Sequence, residues 1–350
     1  MSDDIPLNDP LQLQSKLART LRRARELQPV SVGSTPARDL PHPGTATLYR
    51  YGSAEGVPLL IIYSLVNRPY ILDLSCERSV IGALVRGGIT VYLLDWGYPG
   101  PMDRFQRLDD YIEDEIDCAV DSITARHATE RVSILGVCQG GTLAICYAAL
   151  RAERVRNLIT LATPVDFQTP QDTLYRIVRH VNIERLTQAL GNVPAIGLNA
   201  LFTGLKPFQL LCRRYLTLAE LDADDQALQA FLRLEQWMYD SPDQAGVAFV
   251  QFVRDFYQAN GLVAGSLQLC GENVNPIRFT GPLFNVYATA DHLVPPAAAK
   301  ALANLTGSLA YREAELPGGH LGLFISRHAH RRLYPTLVEW LHQCSEPVLR

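Results

Sequence analysis

The chain lacks paired cysteines. Its seven, Cys76, Cys118, Cys138, Cys146, Cys212, Cys270 and Cys344, are odd in number and stand at none of the short spacings of a zinc site or a disulfide framework. A reducing, cytosolic setting fits that usage. No sign of charge dominates: 32 Lys and Arg face 36 Asp and Glu, for a net charge of −4. That balance gives no overall pull towards nucleic acid or an anionic membrane. Long hydrophobic runs are missing too. The strongest, Val57 to Val66, is too short to span a bilayer. The opening Met1-Ser2-Asp3-Asp4 has neither the basic nor the apolar region of a secretory signal. Internal repeats and low-complexity tracts are absent. What remains is ordinary globular material, 47% hydrophobic and 19% charged. Its 350 residues suffice for one large α/β domain or a domain with a sizeable insertion.

Four stretches follow from the patterning. Residues 1–46 read as an N-terminal helix and a connector. Leu13, Leu17 and Leu21 recur at four-residue spacing in the helix at 9–27, with Lys16, Arg19, Arg22, Arg23 and Arg25 around them. Such a helix packs on its own domain or docks onto a partner or an apolar surface. Residues 28–46, rich in Pro, Ser, Thr and Gly, predict an extended connector. Residues 47–167 form the first part of an α/β core, with strands at 47–51, 58–63, 90–95, 132–135 and 158–162. Residues 279–350 form the second part, with strands at 282–288 and 310–316. Helical patterns lie between, around 76–87, 109–127, 141–152 and 296–305, which predicts βαβ units and a mostly parallel sheet. The stretch 168–278 breaks this rhythm. It is mainly helical in pattern and carries Phe202, Phe208, Tyr215, Phe231, Trp237, Tyr239, Phe252, Phe256 and Tyr257, as expected of a cap insertion with an apolar entrance.

The most informative segment is Val132 to Gly141. A β-branched run ends in Gly136-Val137-Cys138-Gln139-Gly140-Gly141, and Thr142 to Leu150 continues as a helix. Strand, sharp turn and helix make a nucleophile elbow with cysteine in place of serine. Glycines there let strand and helix approach closely, and the helix N-terminus favours negative charge at the sulfur. A buried structural cysteine in a Gly-rich turn is the alternative.

A nucleophile needs a base and a group to orient the base. In α/β-hydrolase folds the order is nucleophile, acid, histidine, each past a strand end. Asp291 follows the strand at 282–288, and His320 follows the strand ending near Leu316, in Pro317-Gly318-Gly319-His320. Alone, Asp291 is a turn or capping carboxylate and His320 a loop histidine. Together with Cys138 they form a candidate catalytic triad. His292 is a supporting neighbour. The oxyanion hole is expected from the backbone N–H of Gln139 and one from the loop 64–70, with Val66 as the choice. Asp95 and Trp96 read as a capped strand end, and His328 and His330 as a solvated helix face rather than metal ligands. No metal or cofactor is expected.

Cysteine suits thioester chemistry. Attack on an acyl-thioester makes another thioester at little free-energy change, and the acyl group can still pass downhill to an alcohol. The chain resembles the catalytic subunit of a short, two-subunit (class III type) polyhydroxyalkanoate synthase. The matching segments are Pro58 to Tyr70, Val91 to Pro99, Gly136 to Gly141, Thr163 to Phe167, Ser241 to Gly246, Asp291 to Pro296 and Pro317 to His320, spread over residues 47–342. The resemblance implies polymerisation of (R)-3-hydroxyacyl-CoA, here a substrate and not a cofactor, into polyester with release of CoA. Cys138 is then the acylated nucleophile and His320 its base. Asp291 either orients His320 or helps activate the substrate 3-hydroxyl. The resemblance also implies a second, non-catalytic subunit, a homodimer or hetero-oligomer, and cytoplasmic polymer granules. Two other readings compete: a cysteine hydrolase of dienelactone-hydrolase or thioesterase type, and a non-catalytic granule scaffold.

Overall fold

Eight strands form one sheet: β1 (Ala37–Leu40), β2 (Thr47–Tyr51), β3 (Val57–Ile62), β4 (Ile89–Asp95), β5 (Val132–Val137), β6 (Val155–Leu161), β7 (Leu283–Ala288) and β8 (Tyr311–Leu316). Their order is β1-β2-β4-β3-β5-β6-β7-β8. The structure, a computed structural model, describes residues 10–205, 216, 218–221 and 224–345. β2 runs antiparallel to both neighbours, and every other pairing is parallel. The predicted α/β class is therefore the observed one. β1 is the departure: it lies inside the segment read as a connector. Its Ala-Arg-Asp-Leu sequence is largely exposed, so it carries no apolar alternation to betray an edge strand.

Alternate residues of the central strands feed two cores, as a period of two requires. Leu60, Ile62, Tyr92, Leu94 and Ile134 pack on one face, with Ile116, Ala119 and Ile123 and the helix after β5. Leu59, Ile61, Val91, Leu93, Leu135 and Val137 pack on the other, with Val80, Leu84, Leu337 and Leu341. Both layers hold the C-terminal ends of the strands rigid, and all candidate catalytic residues follow those ends.

The connector is anchored by a buried carboxylate. Glu115 accepts hydrogen bonds from Thr45 N–H at 2.7 Å, Thr45 Oγ1 at 2.8 Å, Ala46 N–H at 3.2 Å and His42 Nε2 at 2.7 Å. Replacing Glu115 by alanine leaves these donors without an acceptor. The expected cost is about 3 kcal/mol of stability or more, read as a lower urea midpoint. An unchanged midpoint would show that the anchor does not hold the connector.

Between Leu161 and Leu283 no described residue joins the main sheet. This stretch holds α-helices at Thr173–Val178, Ile183–Leu190, Ala195–Leu205, Asp225–Tyr239 and Gly246–Gln251. Phe208, Tyr215 and Cys212 lie outside the described residues. Phe252 and Phe256 stack at 4.7 Å and, with Phe167, join the core cluster on one face of the sheet.

The N-terminal helix, Pro10–Glu26, packs on its own chain. Ala24 and Val30 are buried with Leu218, Leu228 and Leu232, and Leu17 and Leu27 join them. Arg23 pairs with Asp225, and Arg233 Nε donates to the Ser31 carbonyl. The inward stripe is Leu17, Thr20, Ala24 and Leu27, of which Thr20 and Ala24 are buried and the two leucines partly so, whereas Leu21 is 47% exposed. Four-residue steps drift about 40° per step around a helix, so the stripe alternates steps of three and four.

Candidate active site

The turn after β5 places Cys138 at a strained corner. Its φ of 53° and ψ of −125° lie outside the regions ordinary side chains prefer. Cys138 N–H donates to the Leu161 carbonyl at 2.9 Å, and its own carbonyl accepts from Gly141 N–H at 2.9 Å. The surrounding glycines are required by close approach. A Cβ on Gly140 would land on the Ile62 and Tyr63 carbonyls, and one on Gly141 would land on the Thr163 side chain. The helix Gln139–Leu150 then runs away beneath the corner, wholly buried.

His320 and Asp291, 29 residues apart in sequence, meet beside this corner. His320 Nδ1 donates to Asp291 Oδ2 at 2.7 Å. Asp291 Oδ1 accepts from the N–H groups of Leu293 at 2.9 Å and Val294 at 3.0 Å. The Asp291 side chain is 1% exposed and that of His320 9%. Burial alone would raise Asp291, but His320 and the two backbone N–H groups outweigh it and hold the carboxyl below its ordinary range. Burial alone would lower His320. The Asp291 carboxylate first, then Cys138, outweigh that and hold the imidazole well above 6.5. A histidine oriented on one side by a carboxylate and facing a cysteine on the other can move a proton to and from sulfur.

Cys138 and His320 face a cavity of about 400 Å³. Its walls are largely apolar, with Leu198, Phe202, Trp237, Phe249 and Val253 from the insertion. Gln139, Val66 and His292 also line it. Gln139 stands at the first helical position, where a backbone N–H has no partner within its helix. Val66 N–H instead donates to Ser64 Oγ at 3.1 Å. The Val66 donor is thus already engaged, a local turn that sequence could not reveal.

Other residues take structural places. Asp95 accepts from Arg68 Nη2 at 2.8 Å and from Gly97 N–H at 3.0 Å, and Trp96 Nε1 donates to the Tyr63 carbonyl. His328 is exposed, but His330 is not on a solvated face: its Nε2 is 2.8 Å from the Phe324 carbonyl, and its ring packs on Tyr334. The chain folds back there through Leu323, whose carbonyl Tyr334 also caps. Among the described residues no cluster of three His, Cys, Asp or Glu is placed to hold a metal.

A family model described as the alpha/beta hydrolase fold matches residues 57–326. The chain is 42% identical over 339 residues to the poly(3-hydroxyalkanoate) polymerase subunit PhaC of Allochromatium vinosum, covering 95% of this chain and 96% of that protein. It is 41% identical over 340 residues to the subunit of the same name from Thiocystis violacea, covering 96% of each. This chain belongs to the poly(3-hydroxyalkanoate) polymerase family. Membership makes the chain an enzyme, which sets the scaffold reading aside, and near full-length identity favours a polymerase over a dienelactone-type hydrolase. Among solved structures, a putative lipase from Sulfolobus solfataricus superposes with a TM-score of 0.56 at 15% identity, covering 86% of this chain and 90% of that one. That likeness concerns the fold alone. In this polymerase-family chain, no helix among the described residues is long and apolar enough to cross a membrane.

The sequence reading missed the side chains that support the loop after β3. Gln244 Nε2 donates to the Leu65 carbonyl at 2.6 Å, and Trp237 Nε1 donates to the Arg68 carbonyl at 2.7 Å. The Ser241 to Gly246 match was the available signal, but its partners lie some 170 to 180 residues away.

Proposed function

We propose that the chain polymerises (R)-3-hydroxyacyl-CoA into polyester through a thioester on Cys138, without a cofactor. The observation that carries this reading is a cysteine at the elbow, facing the His320–Asp291 pair at the floor of an apolar cavity. Cys138 Sγ attacks the thioester carbonyl while His320 holds its proton. The Gln139 N–H and an N–H from the loop after β3 donate to the developing oxyanion. His320 returns the proton to the departing CoA sulfur, giving CoA thiol and an acyl-enzyme. The neutral imidazole then takes the proton of an incoming 3-hydroxyl, which attacks the acyl-enzyme. An ester forms, and Cys138 leaves as a thiol with that proton. The apolar cavity disfavours water as a competing nucleophile.

The test is incubation with (R)-3-hydroxybutyryl-CoA, with CoA measured in quenched samples and the acyl product by gas chromatography. Insoluble polyester with many CoA released per enzyme is expected. Free 3-hydroxybutyrate would point to a hydrolase. The same reading carries a second, non-catalytic subunit, assembly as a homodimer or hetero-oligomer, and work at the surface of cytoplasmic polymer granules. Co-purification with granules tests this.

Both oxygens of Asp291 are occupied, one by His320 and one by backbone N–H groups. This favours the orienting role over activation of the substrate hydroxyl. Asp291→Asn is expected to slow acylation and elongation alike, by about 10³-fold, in single-turnover and steady-state assays. A loss confined to elongation would return Asp291 to the hydroxyl.

A further inference from the structure

A chain of hydrogen bonds links the residue beside the nucleophile to the helix over the cavity. Gln139 Oε1 accepts from Leu65 N–H at 3.1 Å, and the Leu65 carbonyl accepts from Gln244. Asn67 Nδ2 donates to Ser241 Oγ at 2.8 Å, and Ser241 Oγ donates to Asn199 Oδ1 at 2.9 Å. Asn199 belongs to the helix Ala195–Leu205, which presents Leu198, Leu201 and Phe202 to the cavity. Val66 therefore sits between two tethered residues. Leu65 N–H is bonded to Gln139 beside the nucleophile, and Asn67 is bonded through Ser241 to a helix that lines the cavity.

We infer that Ser241, bridging Asn67 and Asn199, is a positioning residue that sets the oxyanion loop according to where the cavity helix stands. The inference rests on the proposed acyl transfer and on an oxyanion donor from this loop. Val66 N–H is held by Ser64 Oγ, so aiming it at a developing oxyanion takes a turn of the Leu65–Val66 peptide, which also shifts the Leu65 carbonyl held by Gln244. Oxyanion donors act only when aimed at the charge that forms, and small misplacements are costly. An acyl group filling the cavity presses on Leu198, Leu201 and Phe202. Ser241 passes that displacement to Asn67, and the loop turns as the site fills. Substrate occupancy and donor placement become one event.

The experiment compares Ser241→Ala, Asn199→Ala and Ser241→Thr in the full chain. First-turnover CoA release is measured at saturating (R)-3-hydroxybutyryl-CoA, and alkylation of Cys138 by iodoacetamide is measured in parallel. Alkylation needs the nucleophile but no oxyanion hole, so it reports on the general integrity of the corner. Both alanine variants are expected to slow CoA release about tenfold with alkylation unchanged, and Ser241→Thr to restore most of the rate. Release within twofold of wild type in Ser241→Ala overturns the inference. So does a slow Ser241→Ala beside an unaffected Asn199→Ala, which would leave the cavity helix out. An equal fall in alkylation also overturns it, since the effect would then be a general loosening. Cys138→Ala is the control for the underlying chemistry. CoA release from that variant would refute the acyl-enzyme itself, independently of Ser241.

Discussion

Cys138→Ala is expected to abolish both the acyl-enzyme and the polymer, with CoA release reduced by about 10⁴-fold or more. Six cysteines are described, all free thiols. Of these only Cys138 faces the cavity. Cys146, about two turns into the helix below, is fully buried, and burial pushes its thiol far up. It offers no substitute nucleophile. The strained backbone at the elbow is set by the strand, the helix and the glycines, not by the sulfur, so alanine keeps the fold. Stoichiometric CoA release from Cys138→Ala, or acyl mass on another residue after quenching, would remove the elbow from the chemistry.

His320→Gln is expected to be nearly as damaging, slowing acylation by about 10³-fold. It also has a signature in stability. His320 has its proton affinity raised on folding, because Asp291 and Cys138 together outweigh burial. The folded chain therefore binds that proton more tightly than the unfolded one. The resulting stability is complete below the ordinary value of 6.5 and is lost as pH rises through the folded value. Asp291 works in the other direction. Its affinity is lowered, so its share is present above the ordinary value of 3.8 and is lost as pH falls through the folded value. Urea midpoints of wild type and His320→Gln should differ most between those two values and converge at alkaline pH. A difference that grows with pH would contradict the pairing.

Much of this was legible in the chain, for identifiable reasons. Buried parallel strands announce themselves by β-branched runs, as at Pro58 to Ile62 and Val132 to Val137, because both their faces meet packed helices. The elbow was legible because close approach tolerates only glycine at Gly140 and Gly141. Asp291 and His320 were legible because topology returns strand ends to one rim. Edge strand β1 was not, since an exposed edge needs no apolar pattern. Neither was the engagement of Val66 with Ser64, because one rotatable hydroxyl decides which N–H of a short loop is free. The tie between Glu115 and His42 was equally hidden, as the partners lie 73 residues apart. Periodicity reports on a residue's own element, not on distant polar partners.

The packing of the N-terminal helix has a bearing on how the chain is made. Arg23 reaches Asp225, and Arg233 reaches Ser31, each across 202 positions of sequence. At ordinary translation rates the helix waits on the ribosome for roughly 10 to 40 s before its docking site has even been synthesised. Through that interval its leucines and Ala24 have nothing native to cover them. Contacts so far apart in sequence also form late in any refolding route, after the sheet has closed its own shorter loops. The N-terminal helix is thus an early-made segment that is late to dock, and the stage of biogenesis at which it needs shielding is the interval before residues 218–232 emerge.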